Sequence, residues 1–346
     1  MRCSPLNAAL YCSGGNMFDR MIEHAKEELK QSSQSYDLND VIDLTVEYLV
    51  GSMKESEHNY VENLISEHDA FVSRNRNRWK DGFQKLHSLR QISLEAGIEF
   101  RKQFLLIPDY HTDPLLGVLM MHHANACRIS GEIIHLLEGG YPDAALARWR
   151  TLYEISVTCL VIQKYGKDAA IDYINHGRLK AVEGMEEYQK TAKEMGVEPY
   201  SSEEMYIAKS LKEEITKGEN HFHWARKYTG FSKFEKLREH VGLGKWSNIY
   251  KLASRNVHAD YTDMLSLNAM SETKEKVLLT GQSSSGMTGP AHYTAIALSQ
   301  ITTAYLTAYI HDETPLDYTN SLIFIKLINS YVDEVGSAFL SVQGDQ

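Results

Sequence analysis

The chain has 346 residues, 43% of them hydrophobic, which suffices for one large or two small domains with a substantial core. Lys and Arg number 36 against 46 Asp and Glu, and the resulting charge of −10 argues against indiscriminate coating of nucleic acid or of an anionic membrane, leaving a local basic site as the open case. Cys3, Cys12, Cys127 and Cys159 show no paired spacing and read as free thiols of a reducing cytosol.

The opening MRCSPLNAALYCSGG carries one basic residue and too short an apolar run for a secretory signal, so a cytoplasmic protein is expected. From Asn16 to Gln103 the pattern is one of successive amphipathic helices, about Met17 to Gln34, Asp40 to Lys54, and a long polar one from Ser56 that runs with breaks to Gln103. Few of these faces are strongly apolar. Residues 1–111 are therefore expected as an N-terminal helical subdomain, packed less tightly than residues 112–346. Within it, Arg74-Asn75-Arg76-Asn77-Arg78-Trp79-Lys80 is the strongest basic cluster. Its alternating charges do not share one helical face, so a solvated helix surface is expected there rather than a contact to a nucleic-acid backbone.

The pattern sharpens at Thr112-Asp113-Pro114, an N-cap followed by proline at the first helical position. Leu115, Val118, Leu119, His122, Ala126, Ile129, Ile133 and Leu137 then recur at helical spacing until Gly139-Gly140, a tight turn that folds the next helix back antiparallel. That next stretch, Tyr141 to Ile162, is apolar on every side except for Arg148, Arg150 and Glu154, which marks it as the middle of a domain. Arg150 and Glu154, four apart, are expected to pair with each other, and counting outward from the turn sets them against Gly131 and Cys127.

Further helices are expected over Asp168 to Met195, Glu203 to Lys217 and Lys245 to His258, with an aromatic stretch from Phe222 to Phe234 that reads as core. LTGQSSSGMTGP, residues 279–290, reads as a Gly/Ser loop, and no Gly-Lys-Ser/Thr makes it a phosphate loop. Ala291 to Ile310 has no acidic or basic side chain other than His292 but many Thr and Tyr, so it reads as a buried helix and not a membrane span. A last helix covers Leu316 to Phe339. Period-two alternation is absent, and the expected fold is all-α, a multi-helix bundle.

Chemistry gathers in Ser254-Arg255-Asn256-Val257-His258-Ala259-Asp260. Arg255 and His258 are helical neighbours, and Asp260 can fix the imidazole tautomer. An Arg beside a His suits metal-independent RNA cleavage, in which His removes the 2′-hydroxyl proton and Arg stabilises the phosphate. The alternative is a histidine that only caps a neighbouring helix. Glu55-Ser-Glu-His58 and Glu132-Ile-Ile-His135 have the spacing of di-iron bundles without matching lone Glu residues, so neither metal nor cofactor is expected.

The stretch A-L-A-R-W-R-T-L-Y-E at 145–154, Asp172-Tyr173-Ile174-Asn175-His176, His223-Trp224 and Y-K-L-A-S-R-N-V-H at 250–258 resemble the bacterial family called domain of unknown function 5677, over roughly residues 112–310. That family is helical and without a settled activity, and the resemblance implies Arg150, Glu154 and His258 as site residues. A looser similarity is to the HEPN superfamily, helical and often dimeric RNases of toxin–antitoxin and phage-defence systems, whose Arg and His stand four to six residues apart where Arg255 and His258 here have two between them. What the similarities imply is a cytosolic, homodimeric effector acting on RNA, with an antitoxin or other protein partner and no membrane. Its expected catalytic set is Arg150, Glu154, His258 and Arg255, supported by Arg148, His176, Ser254 and Asp260. The competing expectation is a non-catalytic helical scaffold in which the same polar groups only fix the register of a core.

Overall fold

The computed structural model describes residues 22–23, 26–27, 30–31, 37–105, 107, 110–218, 222–255, 257, 267–273, 278–310 and 316–344. His258 and Asp260, and most of the helix expected at Met17 to Gln34, lie outside them. Among the described residues the fold is all-α, with ten helices and no strand. In chain order these are α1 (Leu38–Arg78), α2 (Lys80–Phe104), α3 (Pro114–Glu138), α4 (Pro142–Thr191), α5 (Ser202–Thr216), α6 (Arg226–Thr229), α7 (Phe234–His240), α8 (Ser247–Arg255), α9 (Thr288–Leu306) and α10 (Thr319–Gly344). None of the described helices is long and apolar enough to cross a membrane.

The chain divides into two compact units, Met1–Ser73 and Arg74–Gln346. In the first, α1 opens with a reciprocal cap: the Asp40 N–H donates to Asp37 Oδ1 at 2.9 Å and the Asp37 N–H to Asp40 Oδ2 at 3.1 Å. Leu38, Ile42, Val46 and Leu64 stand exposed along it. α2 lies in the second unit, because Phe83, Leu86, Leu89, Ala96 and Phe100 give it a fully apolar stripe, which it buries against α10, α3 and α9.

The basic cluster at the end of α1 is an internal latch rather than the solvated surface its alternation suggests. Asn75 Nδ2 donates to the Leu137 and Glu138 carbonyls, both at 2.9 Å, and so serves two of the orphan acceptors at the C-terminus of α3. Arg76 pairs with Glu138 at 2.6 Å, Arg78 with Glu272 at 2.7 Å, and the fully buried Trp79 donates to the Ser284 carbonyl. These partners are distant in sequence, so nothing in the local pattern reveals them.

α9 packs on four other helices, α2, α3, α4 and α10. It stays uncharged because every side of it is covered. Its Thr and Ser hydroxyls find acceptors close by: Thr294 donates to the Pro290 carbonyl at 2.7 Å and Thr302 to the Leu298 carbonyl at 2.8 Å, while Ser299 donates to Asn329 of α10; the buried Tyr305 hydroxyl has no partner among the described residues. α3 follows its expected cap, with Asp113 Oδ1 accepting from the Leu115 and Leu116 N–H groups. The two helices expected over 141–162 and 168–195 are one, α4, interrupted at Gly166, whose φ of 72° and ψ of −150° belong to no helix. α5 begins with the capping box that Ser201 and Glu204 announce.

His123 of α3 lies deep in this core, 4% exposed, its ring 5.2 Å from Tyr305 and its Nε2 3.8 Å from Cys127 Sγ. It fits because position 97 is glycine: a Cβ there would come within 2.4 Å of the ring. Burial pushes the imidazole down from 6.5 to about 4, against a hydrogen bond with the Ser93 backbone. The folded state therefore refuses a proton that the unfolded chain accepts. Stability from this group is complete above pH 6.5 and is lost as pH falls toward 4, by roughly 3 kcal/mol at about 1.4 kcal/mol per unit. Thermal melts at pH 7 and pH 4.5 are expected to differ by a smaller interval in His123→Asn than in the native chain; equal intervals would contradict this account.

Candidate functional site

α4 carries Arg150 and Glu154 on the edge of the bundle where α7 and α8 lie over it. The pairing expected from their spacing is present, with Arg150 Nε 3.2 Å from Glu154 Oε1, but both side chains are partly exposed, 30% and 41%. The polar knot is thus at the rim of the core and not inside it. Across α3 the register is as the turn sets it, yet another arginine uses it: Arg148 Nε meets Glu132 Oε2 at 2.5 Å, and Glu132 also pairs with Arg128. Gly131 and Cys127 face α2 instead, where Arg90 Nε lies against the former and donates to the carbonyl of the latter at 2.8 Å.

The partner of the Arg150–Glu154 pair is Tyr250 of α8. Its hydroxyl donates to Glu154 Oε1 at 2.6 Å, and Arg150 Cζ sits 5.1 Å from the centre of its ring. Burial, then the bond to Glu154, raise the Tyr250 phenol above its ordinary value, so it stays protonated as a donor. Tyr153 and Phe234 pack on the same ring at 5.4 and 5.2 Å, and the Tyr153 hydroxyl donates to the Leu243 carbonyl at 2.8 Å.

A second guanidinium enters from α7. Arg238 is 5% exposed, its Cζ is 5.5 Å from the Tyr250 ring, and among the described residues neither an ion pair nor a hydrogen bond reaches its side chain. The buried Nε of Arg150 likewise has no aligned acceptor. Two cations therefore approach one aromatic ring, and the one carboxylate there, Glu154, pairs with Arg150. A cation–π contact offers about 1–2 kcal/mol when desolvated, less than the several kcal/mol that burying an unpaired charge costs. The arrangement has one positive charge in excess.

Of the other residues expected at the site, Ser254 turns inward to donate to the Tyr250 carbonyl at 2.7 Å, and Arg255 is exposed on the last turn of α8. His176 lies beyond the Gly166 break, its ring 5.0 Å from that of His223, in a cleft with α5. Arg238 is the residue the sequence reading did not single out. Its signal is present: Phe234, Leu237, Arg238 and Val241 fall at i, i+3, i+4 and i+7, so an arginine stands where an apolar residue belongs.

Replacing Arg238 by Met keeps its length and removes the unpaired charge. The melting temperature of Arg238→Met is expected to equal or exceed that of the native chain in buffer without phosphate or sulfate, and inorganic phosphate is expected to raise the native melting temperature by more than that of the variant. An equal phosphate response in both would show that no anion sits on Arg238.

Neither curated proteins nor solved structures provide a match to this chain. Residues 116–276, which contain Arg150, Glu154, Arg238 and Tyr250, match the model of a family of unknown function (DUF5677).

Proposed function

We propose that the protein is a cytosolic, HEPN-like endoribonuclease that cuts RNA without a metal ion, as an effector of a toxin–antitoxin or phage-defence system working as a homodimer. The observation that carries this reading is the buried, unpaired Arg238, which packs on the ring of Tyr250 as Arg150 does and leaves one cation in excess for a phosphodiester. Arg150 and Arg238 hold the two non-bridging oxygens, and Glu154 with Tyr250 positions Arg150. His258, three residues beyond the last residue of α8, serves as general base. It takes the 2′-hydroxyl proton as that oxygen attacks phosphorus. The bond from phosphorus to the 5′-oxygen breaks, its electron pair leaves with that oxygen, and water returns a proton to it. The products are a 2′,3′-cyclic phosphate and a 5′-hydroxyl. Arg255, exposed on the same helix, is the alternative phosphate contact.

A scaffold reading draws on one observation, the 2.6 Å bond by which Tyr250 of α8 is fastened to Glu154 of α4. Under it the same polar groups set the packing of two helices and nothing more.

Incubating the protein with total and transfer RNA in chelator separates the two. The nuclease reading expects fragments ending in 2′,3′-cyclic phosphate, and a loss of roughly 10²-fold or more in His258→Ala and Arg150→Ala, with melting temperatures within about 2 °C of native. Intact RNA, or variants that melt far earlier while cleaving at the native rate per folded molecule, would reject it in favour of the scaffold.

A further inference from the structure

A second basic place lies where the distal half of α4, α5 and the segment from Phe222 to Lys236, at the start of α7, line a cleft of about 1100 Å³. Six cations line it against three carboxylates, in a chain whose total charge is −10. Two of those carboxylates are already taken, Glu183 by Lys180 at 2.7 Å and Glu186 by Lys212 at 3.0 Å. Glu213 is the third. Arg226 and Lys233 are exposed, and among the described residues no carboxylate pairs with them. The cleft thus presents free positive charge to solvent.

Its floor is aromatic. Phe222, His176 and His223 form a shelf, with ring centres 6.3 Å apart between the first two and 5.0 Å between the histidines. Phe231, 41% exposed, borders the same space. His223 Nδ1 accepts the Ala225 N–H at 3.2 Å, which puts the proton of the neutral ring on Nε2 as a donor. His176 Nδ1 is buried and has no partner. Burial lowers both imidazoles, His223 to about 4; Lys180 lowers both further, His176 adds to the lowering of His223 and Glu183 opposes it at His176, so the pair is neutral at pH 7 and free to exchange hydrogen bonds with a ligand.

We propose that this cleft binds a nucleoside phosphate, its base stacked on the Phe222–His176–His223 shelf and its phosphate on Arg226 and Lys233. An aromatic shelf beside uncompensated cations is the combination that a flat base joined to a phosphate requires, whereas phosphate alone would leave the rings unused. The same chemistry comes from two sources, a free nucleotide or one nucleotide of a single RNA strand. The proposal does not depend on cleavage at the Arg150 cluster.

The test is equilibrium binding at pH 7 of three probes to the full chain: ATP, inorganic phosphate, and a fluorescein-labelled, uncleavable 2′-O-methyl RNA 12-mer. Tight binding of ATP or of the 12-mer is expected, weakening as salt rises and at least tenfold weaker in Arg226→Glu, Lys233→Glu and Phe222→Ala. Preference for ATP identifies a nucleotide ligand, and preference for the 12-mer a strand. Arg226 and Lys233 are exposed, so their variants are expected to melt as the native chain does, and Arg150→Ala is expected to keep full binding even if RNA cleavage is absent. Three results overturn the proposal: no binding of ATP or 12-mer, inorganic phosphate binding as tightly as ATP, or affinity lost in Arg150→Ala but kept in Arg226→Glu.

Discussion

The bundle depends on one constraint, that α9 is covered on all sides. A helix touching α2, α3, α4 and α10 cannot carry a charge without burying it, and it holds Thr and Ser only because their hydroxyls return to carbonyls one turn back or to Asn329. The surrounding helices then inherit their polarity from their distance to it. α4 is apolar toward α9; of the charges in its core half, Arg148 meets Glu132 of α3, and Arg150 and Glu154 lie where α4 emerges beneath α7 and α8. The location of the Arg150 cluster is in this sense a boundary effect of the core.

At that boundary the arithmetic of charge is unusual. Elsewhere in the second unit buried or half-buried ions come with partners: Glu138 meets both Arg76 and His87, and although burial opposes it these bonds hold its carboxyl down at about 2. Glu272 takes Arg78, and Glu132 takes two arginines. Arg238 is the departure. It is more deeply buried than any of these arginines and has only the face of Tyr250. The other ions have carboxylate or cation partners and this one has none, which is the ground on which the proposed phosphate contact rests.

Much of the fold was legible because its signals are local. The Asp113-Pro114 start, the Gly139-Gly140 turn, the Ser201–Glu204 box and the uncharged run of α9 each state a boundary or a burial within a few residues. The basic cluster at 74–80 was not legible, because its partners Glu138, Glu272 and Ser284 are brought to it only by the fold. The same holds for the site. Spacing joins Arg150 to Glu154, but Tyr250 and Arg238 come from helices far along the chain, and the choice between Arg148 and Arg150 turns on which side of α4 meets Glu132. Separating His176 from the cluster required knowing that α4 breaks at Gly166.

That break carries a consequence for how the protein can change over generations. The φ and ψ of Gly166 lie in a region open in practice to glycine alone, while the space around its α-carbon is empty, so nothing but backbone conformation forbids a side chain there. Any other residue would favour a continuous helix and carry the distal half of α4, with its half of the cleft, in a new direction. The distal half is tied to the bundle, with Ala170 in the core and the Tyr173 ring 5.3 Å from that of His122 on α3, so the turn would also pull on those contacts. A single codon therefore sets the aim of the distal half and its side of the cleft, and the bundle limits how far that aim can drift.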